Sequence, residues 1–140
     1  MSDMQVLVAV RKHLLSKELG LHVHLTLPPK AIYPLVLIEL EEIWSTYPLK
    51  VSDKRKNIQA RVKFKVSAYS RGPGLEEAAD LSHKTRNVLE GATLQIPTQT
   101  GGVKSSILRF LACVTESSVS IQGAEGYRVI HHFYDCIIRG

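Results

Sequence analysis

One stretch limits what this chain can fold into more than any other. Ile58, Ala60, Val62, Phe64, Val66 and Ala68 alternate without a slip against Asn57, Gln59, Arg61, Lys63, Lys65 and Ser67. Successive side chains of a β-strand point to opposite faces, so the run predicts a long strand with one buried face and one wet face. Such a strand needs neighbours in a sheet and a second layer over its apolar side.

The rest of the sequence supplies both. Val6, Val10 and Leu14, with Leu7 beside them, give an apolar face at helical spacing, so residues 3 to 19 predict a first helix that Gly20 stops. Residues 21 to 25 alternate but run into Pro28 and Pro29, which limits them to a short edge strand or an extended entry. Residues 35 to 44 are rich in strand formers, with Val36, Ile38, Leu40 and Trp44 expected on one face and Glu39 and Glu41 on the other. Residues 45 to 56, polar and basic with Pro48, read as a long connection. After the break at residues 70 to 74, a second helix is expected over residues 75 to 90, with Glu76, Glu77 and Asp80 at its positive end and Gly91 closing it. A short strand at 93 to 96 and two long strands at 103 to 116 and 127 to 139 follow, the last two separated by a loop over 117 to 126. The expected fold is α+β: a two-layer sandwich with a mostly antiparallel sheet of about four main strands and two helices on one face.

The chain has 140 residues, enough to bury roughly two thirds of its unfolded surface, so residues 1 to 140 are expected to form a single domain that needs neither disulfides nor metal. With 44% hydrophobic and 22% charged residues, disorder and fibrous repeats are excluded. The apolar run from Val6 to Val10 is too short for a secretory signal, and Glu39 interrupts the richest apolar stretch, so a soluble protein without a membrane partner is expected. Cys113 and Cys136 sit among apolar neighbours without metal or redox spacing, which predicts two buried free thiols.

Eighteen Lys and Arg against 13 Asp and Glu leave a formal charge of +5, and the excess is local. Lys50, Lys54, Arg55, Lys56, Arg61, Lys63 and Lys65 cluster with only Asp53 among them, just after Glu39, Glu41 and Glu42. Pairing of the two strands as a hairpin sets Glu39 and Glu41 opposite some of Arg61, Lys63 and Lys65, which makes a solvated face of cross-strand ion pairs the plain expectation. The sharper one is a surface for another subunit or for nucleic acid, since any unpaired positive excess attracts phosphates without reading sequence.

Catalytic signatures are missing. His22 and His24 share a side of an extended segment but lack a third ligand. His131 and His132 must face opposite ways on a strand, one toward core or interface and one toward solvent, and Glu41 and Glu42 are likewise expected to diverge. Phosphate-cradling, dinucleotide and nucleophile-elbow motifs are absent. No enzyme, cofactor or metal is expected. An enzymatic alternative would need a pocket joining His131 or His132 to a carboxylate such as Asp135.

Tyr33-Pro34-Leu35-Val36-Leu37-Ile38-Glu39, Trp44-Ser45-Thr46, the alternating strand ending Tyr69-Ser70-Arg71-Gly72, and the Glu76-Glu77-Ala78 helix running to Leu89 together resemble the tail-completion, or tail-terminator, proteins of long-tailed bacteriophages and gene transfer agents. The likeness spans most of the chain in length and element order. Pro28 and Pro29 replace a Gly-rich turn, and residues 117 to 126 carry no signature of that family.

The resemblance implies a structural virion protein that forms a ring, commonly of six copies, on the tail tube and joins it to the head. It implies a heterologous self-contact, a tail-tube partner, a head-completion or neck partner, and DNA passing through the lumen without sequence recognition. The protein would reside in the virion tail, and in the bacterial cytoplasm during assembly. The alternative from another class is a small basic nucleic-acid-binding module, which would bind with steep salt dependence through Lys54, Arg55 and Lys56.

Overall fold

The computed structural model describes residues 3 to 17, 19 to 46, 59 to 71, 74 to 97, 101 to 121 and 124 to 139. Helix α1 (Asp3–Ser16) buries Val6, Leu7, Val10 and Leu14, the stripe its spacing predicts. It stops three residues short of position 19. The Ser16 hydroxyl donates to the His13 carbonyl at 2.7 Å, and the Lys17 amide to the Leu14 carbonyl at 3.3 Å. These contacts tighten the last turn and satisfy carbonyls that a helix end leaves open.

Strands β1 (Val23–His24), β2 (Leu35–Thr46) and β3 (Gln59–Ser70) follow, then helix α2 (Glu76–Leu89). The helix buries Ala78, Leu81, Ser82, Thr85 and Leu89, and ends at Gly91 with φ 75°, a backbone angle that a side chain would strain. Strands β4 (Thr93–Pro97), β5 (Val103–Ile107), β6 (Arg109–Ile121) and β7 (Ala124–Arg139) complete the chain.

The main sheet has five strands in the order β1-β2-β3-β7-β6, and β4 and β5 form a separate antiparallel pair. Only β1 runs parallel to its neighbour, and it pairs with β2 through Val36 and Leu37 alone. The α+β reading therefore holds, but the strand count of about four is too low. The expected strand over 103 to 116 is two strands. At the junction, Leu108 is buried, accepts from the Gly91 amide at 3.1 Å and donates to the Ala92 carbonyl at 2.8 Å. The backbone around α2's end thus captures Leu108 and turns the chain from one sheet into the other.

The expected loop over 117 to 126 is also corrected: β6 continues to Ile121 and β7 begins at Ala124, with register shifts in the paired region and Gly126 at φ 89°. Ser117, Ser118, Ser120 and Gly126 read as turn residues, while strands β6 and β7 extend through them with bulges that absorb the irregularity.

Both helices pack on the side of the sheet formed by Val62, Phe64, Val66 and Ala68 of β3 and Tyr134, Cys136 and Ile138 of β7, where α1 and α2 also touch each other. Phe64 and Tyr134 stack at its centre with ring centroids 5.6 Å apart. The opposite side is not uniformly wet. Leu35, Leu37, Ser67, Tyr127 and Val129 are at most 5% exposed, and Tyr33 lies 4.8 Å from the Tyr127 ring. This explains why residues 35 to 38 form an unbroken apolar run: strands buried on both faces do not alternate.

Candidate functional site

The charged part of the helix-free face is the candidate site, and strand register builds it. Ala60, Val62 and Phe64 turn toward the helices, so Arg61, Lys63 and Lys65 project the other way. Lys65 Nζ lies 3.6 Å from Glu39 and 3.5 Å from Glu41, the cross-strand pairing that the sequence suggests. Lys63 instead holds its ammonium 5.7 Å above the Phe133 ring.

Arg61 pairs with neither glutamate. Its Nε donates to Asp135 Oδ2 at 2.6 Å, across 74 residues of sequence. Arg109 donates to the same carboxylate from the other side, Nε to Oδ1 at 3.0 Å and Nη2 to Oδ2 at 2.7 Å. The Asp135 side chain is 1% exposed, whereas those of Arg61 and Arg109 are 34% and 61% exposed. Burial pushes the carboxyl upward, but the hydrogen bonds and charges of Arg109 and Arg61 outweigh it and hold Asp135 below the ordinary aspartate value. The triad ties β3, β7 and β6 together and carries one net positive charge. Sequence reading placed Asp135 only as a possible catalytic acid, because nothing local signals a partner 74 residues away.

Lys50, Lys54, Arg55 and Lys56 lie outside the described residues. Of the seven basic candidates, the structure brings together Arg61, Lys63 and Lys65, and ion pairs engage two of these.

A bulge between Leu40 and Glu42 changes β2. Glu42 pairs with Lys63, Ile43 with Val62 and Trp44 with Arg61. The alternation shifts by one position, so Trp44 falls in register with the charged side and not with Val36, Ile38 and Leu40. For the same reason Glu41 and Glu42 do not diverge: Glu41 reaches Lys65 while Glu42 stands opposite Lys63.

Both adjacent histidines are buried, at 8% and 5% exposure, which corrects the expectation of one exposed ring. His131 Nδ1 is 2.7 Å from Ser67 Oγ and Nε2 is 3.2 Å from Glu116 Oε2. Ser67 on β3 and Glu116 on β6 thus engage the two ring nitrogens from either side. A hydroxyl, imidazole and carboxylate in sequence are the parts of a nucleophilic relay, yet Ser67 is 0% exposed in the middle of a central strand. No reacting carbon can approach it, and the arrangement works as a cross-strand polar clamp.

His132 faces the helices, edge-on to Phe110 at 5.3 Å, and burial followed by the charge of Arg86 holds its pKa below the ordinary histidine value. Arg86 lies 3.7 Å over the Phe110 ring and bonds Glu90 at 2.7 Å. Cys136 is buried and its thiol is pushed up to about 11, whereas Cys113 is exposed, contrary to the expectation of two buried thiols. Cys113 lies on β6, whose outer side has no partner strand among the described residues.

Among the described residues no group of three or more His, Cys, Asp or Glu is placed to hold a metal ion, and no helix is long and apolar enough to cross a membrane. A cleft of about 370 Å³ between β5 and β7 is lined by Ser105, Ser106, Ile107, Arg109, Asp135, Cys136 and Ile137. Its charged groups are bonded to each other, and Ser106 donates to the Ile137 carbonyl at 2.7 Å.

Helices on one face, ion pairs on the other and long open strand edges define an α+β protein whose distinctive chemistry lies on its surfaces. No protein-family model matches the chain, and no curated protein matches it. Among solved structures, the fold is similar to that of a chain in "Virion of native gene transfer agent (GTA) particle", with a TM-score of 0.66 and 19% identity over 95% of this chain and 93% of that one. The likeness establishes a fold shared with a virion chain of nearly the same extent.

Proposed function

We propose that this protein is a structural component of a phage-like particle, a tail terminator that forms a ring on the end of the tail tube and joins it to the head. The observation that carries the reading is the fold shared with a gene transfer agent virion chain along almost the full length of both. The sequence resemblance points to the same kind of particle from independent features, the Tyr69 to Gly72 turn and the helix that follows it.

On this reading the protein performs no bond-breaking chemistry, and its partners are further copies of itself, the tail-tube protein and a head-completion protein, with DNA crossing the lumen. A buried Ser67 and an Asp135 saturated by arginines fit a scaffold better than an active site. The nucleic-acid module gains little from Lys65, which Glu39 and Glu41 flank, and from Arg61 and Arg109, which share Asp135.

Arrest of tube growth tests the proposal. Adding the protein to polymerising tail-tube subunits of the same particle should stop elongation at substoichiometric ratios, read as a shortened length distribution in electron micrographs. Unchanged growth at every ratio, or salt-sensitive DNA binding in its place, would overturn it.

A further inference from the structure

Strand register lines up four charged residues in one row across the sheet. Glu42 on β2 pairs with Lys63 on β3, Lys63 with Asp135 on β7, and Asp135 with Arg109 on β6. The signs run minus, plus, minus, plus. The row therefore starts at a carboxylate on the β2 side and ends at a guanidinium on the β6 side. Both ends reach solvent: Glu42 is exposed, and Arg109 is 61% exposed despite its bonds to Asp135.

The two ends of the row coincide with uncovered edges. Since β1 pairs only with Val36 and Leu37, no strand among the described residues flanks β2 from Ile38 onward. β6 is the opposite outer strand, and residues 112 to 116, between two of its register shifts, are all exposed. Sheet edges are commonly protected by lysine or proline. β6 contains neither and relies on its charges and register shifts, between two of which residues 112 to 116 form a continuous exposed stretch.

We infer that these edges are the two halves of one contact between copies: the β2 edge of one copy meets the β6 edge of the next, with Glu42 set against Arg109 of that next copy. Two β2 edges would set Glu42 against an identical acidic edge, whereas two antiparallel β6 edges centred near residue 112 would set Arg109 against Glu116. Unlike edges continue the alternating row. Charge thus disfavours a twofold contact through β2, and only the unlike pairing continues the alternating row into the head-to-tail contact that closes rings. The inference rests on the ring reading and deepens it by naming the surfaces that meet.

Two charge reversals test it. Glu42→Arg and Arg109→Glu each place like charges at the contact and should weaken self-association by at least about tenfold, measured by sedimentation velocity over a concentration series with and without tail tubes. Mixing the two variants should restore assembly, because each then offers the edge that the other lacks. Circular dichroism checks that the monomers fold. If Arg109→Glu fails that check beside Asp135, Arg109→Gln replaces it, and combining Arg109→Gln with Glu42→Arg in one chain should relieve the block seen with Glu42→Arg alone. If the wild type assembles and the reversals assemble equally, or if the mixture stays blocked, the edge contact is wrong while the ring stands. If the wild type never assembles, alone or on tubes, the ring reading and the contact both fall.

Discussion

Asp135 sits where β3, β7 and β6 meet, with both oxygens taken by guanidinium nitrogens and 1% of its side chain exposed. Removing the charge leaves two arginines facing a weaker acceptor, so Asp135→Asn should cost about 1.5 to 3 kcal/mol in denaturant unfolding, the range for hydrogen bonds to charged groups. Its pH dependence has a definite sign. The folded carboxyl is held below the ordinary value of 3.8, so its contribution is complete above that value and is lost as pH falls through the folded one. The wild type should therefore lose this increment in acid below about pH 4, while Asp135→Asn shows a flatter profile there. Neither this triad nor the Ser67, His131 and Glu116 clamp was legible from local sequence. Each joins residues that only the strand register brings together.

Among the elements, β3 was the most legible, because its alternation states both its geometry and its two faces. β2 was legible as a strand but not in its faces, since the bulge at Glu41 follows from the backbone ladder and leaves no mark on the apolar pattern. The split at Leu108 escaped for a similar reason: strand-forming apolar residues, Ile107, Leu108, Phe110 and Leu111, continue through it in the sequence, and only its bonds to residues 91 and 92 show the turn. At this scale Lys65 is the informative probe. Lys65→Glu sets three carboxylates together where Glu39 and Glu41 now lie 3.6 and 3.5 Å from an ammonium, all of them partly exposed. A loss of about 1 kcal/mol in unfolding free energy from urea titration, with the fold retained, is expected for such a cross-strand pair. A loss of function in tube assays without that small change in stability would instead make Lys65 a contact residue.

For the whole molecule, the layers and the helix stripes followed from periodicity, while the charged sheet face and its open edges had to be seen in three dimensions. The net charge of +5 describes the chain poorly as a binding surface. On the charged face, acids and cations alternate in a register row that leaves one sheet edge acidic and the other basic. Imaging shows most directly whether this fold serves as a ring on a tube. Purified tail tubes mixed with the concentrated protein and examined by negative-stain electron microscopy should show a ring of density at one end of each tube, absent from tubes alone. Bare ends at saturating protein would contradict that role.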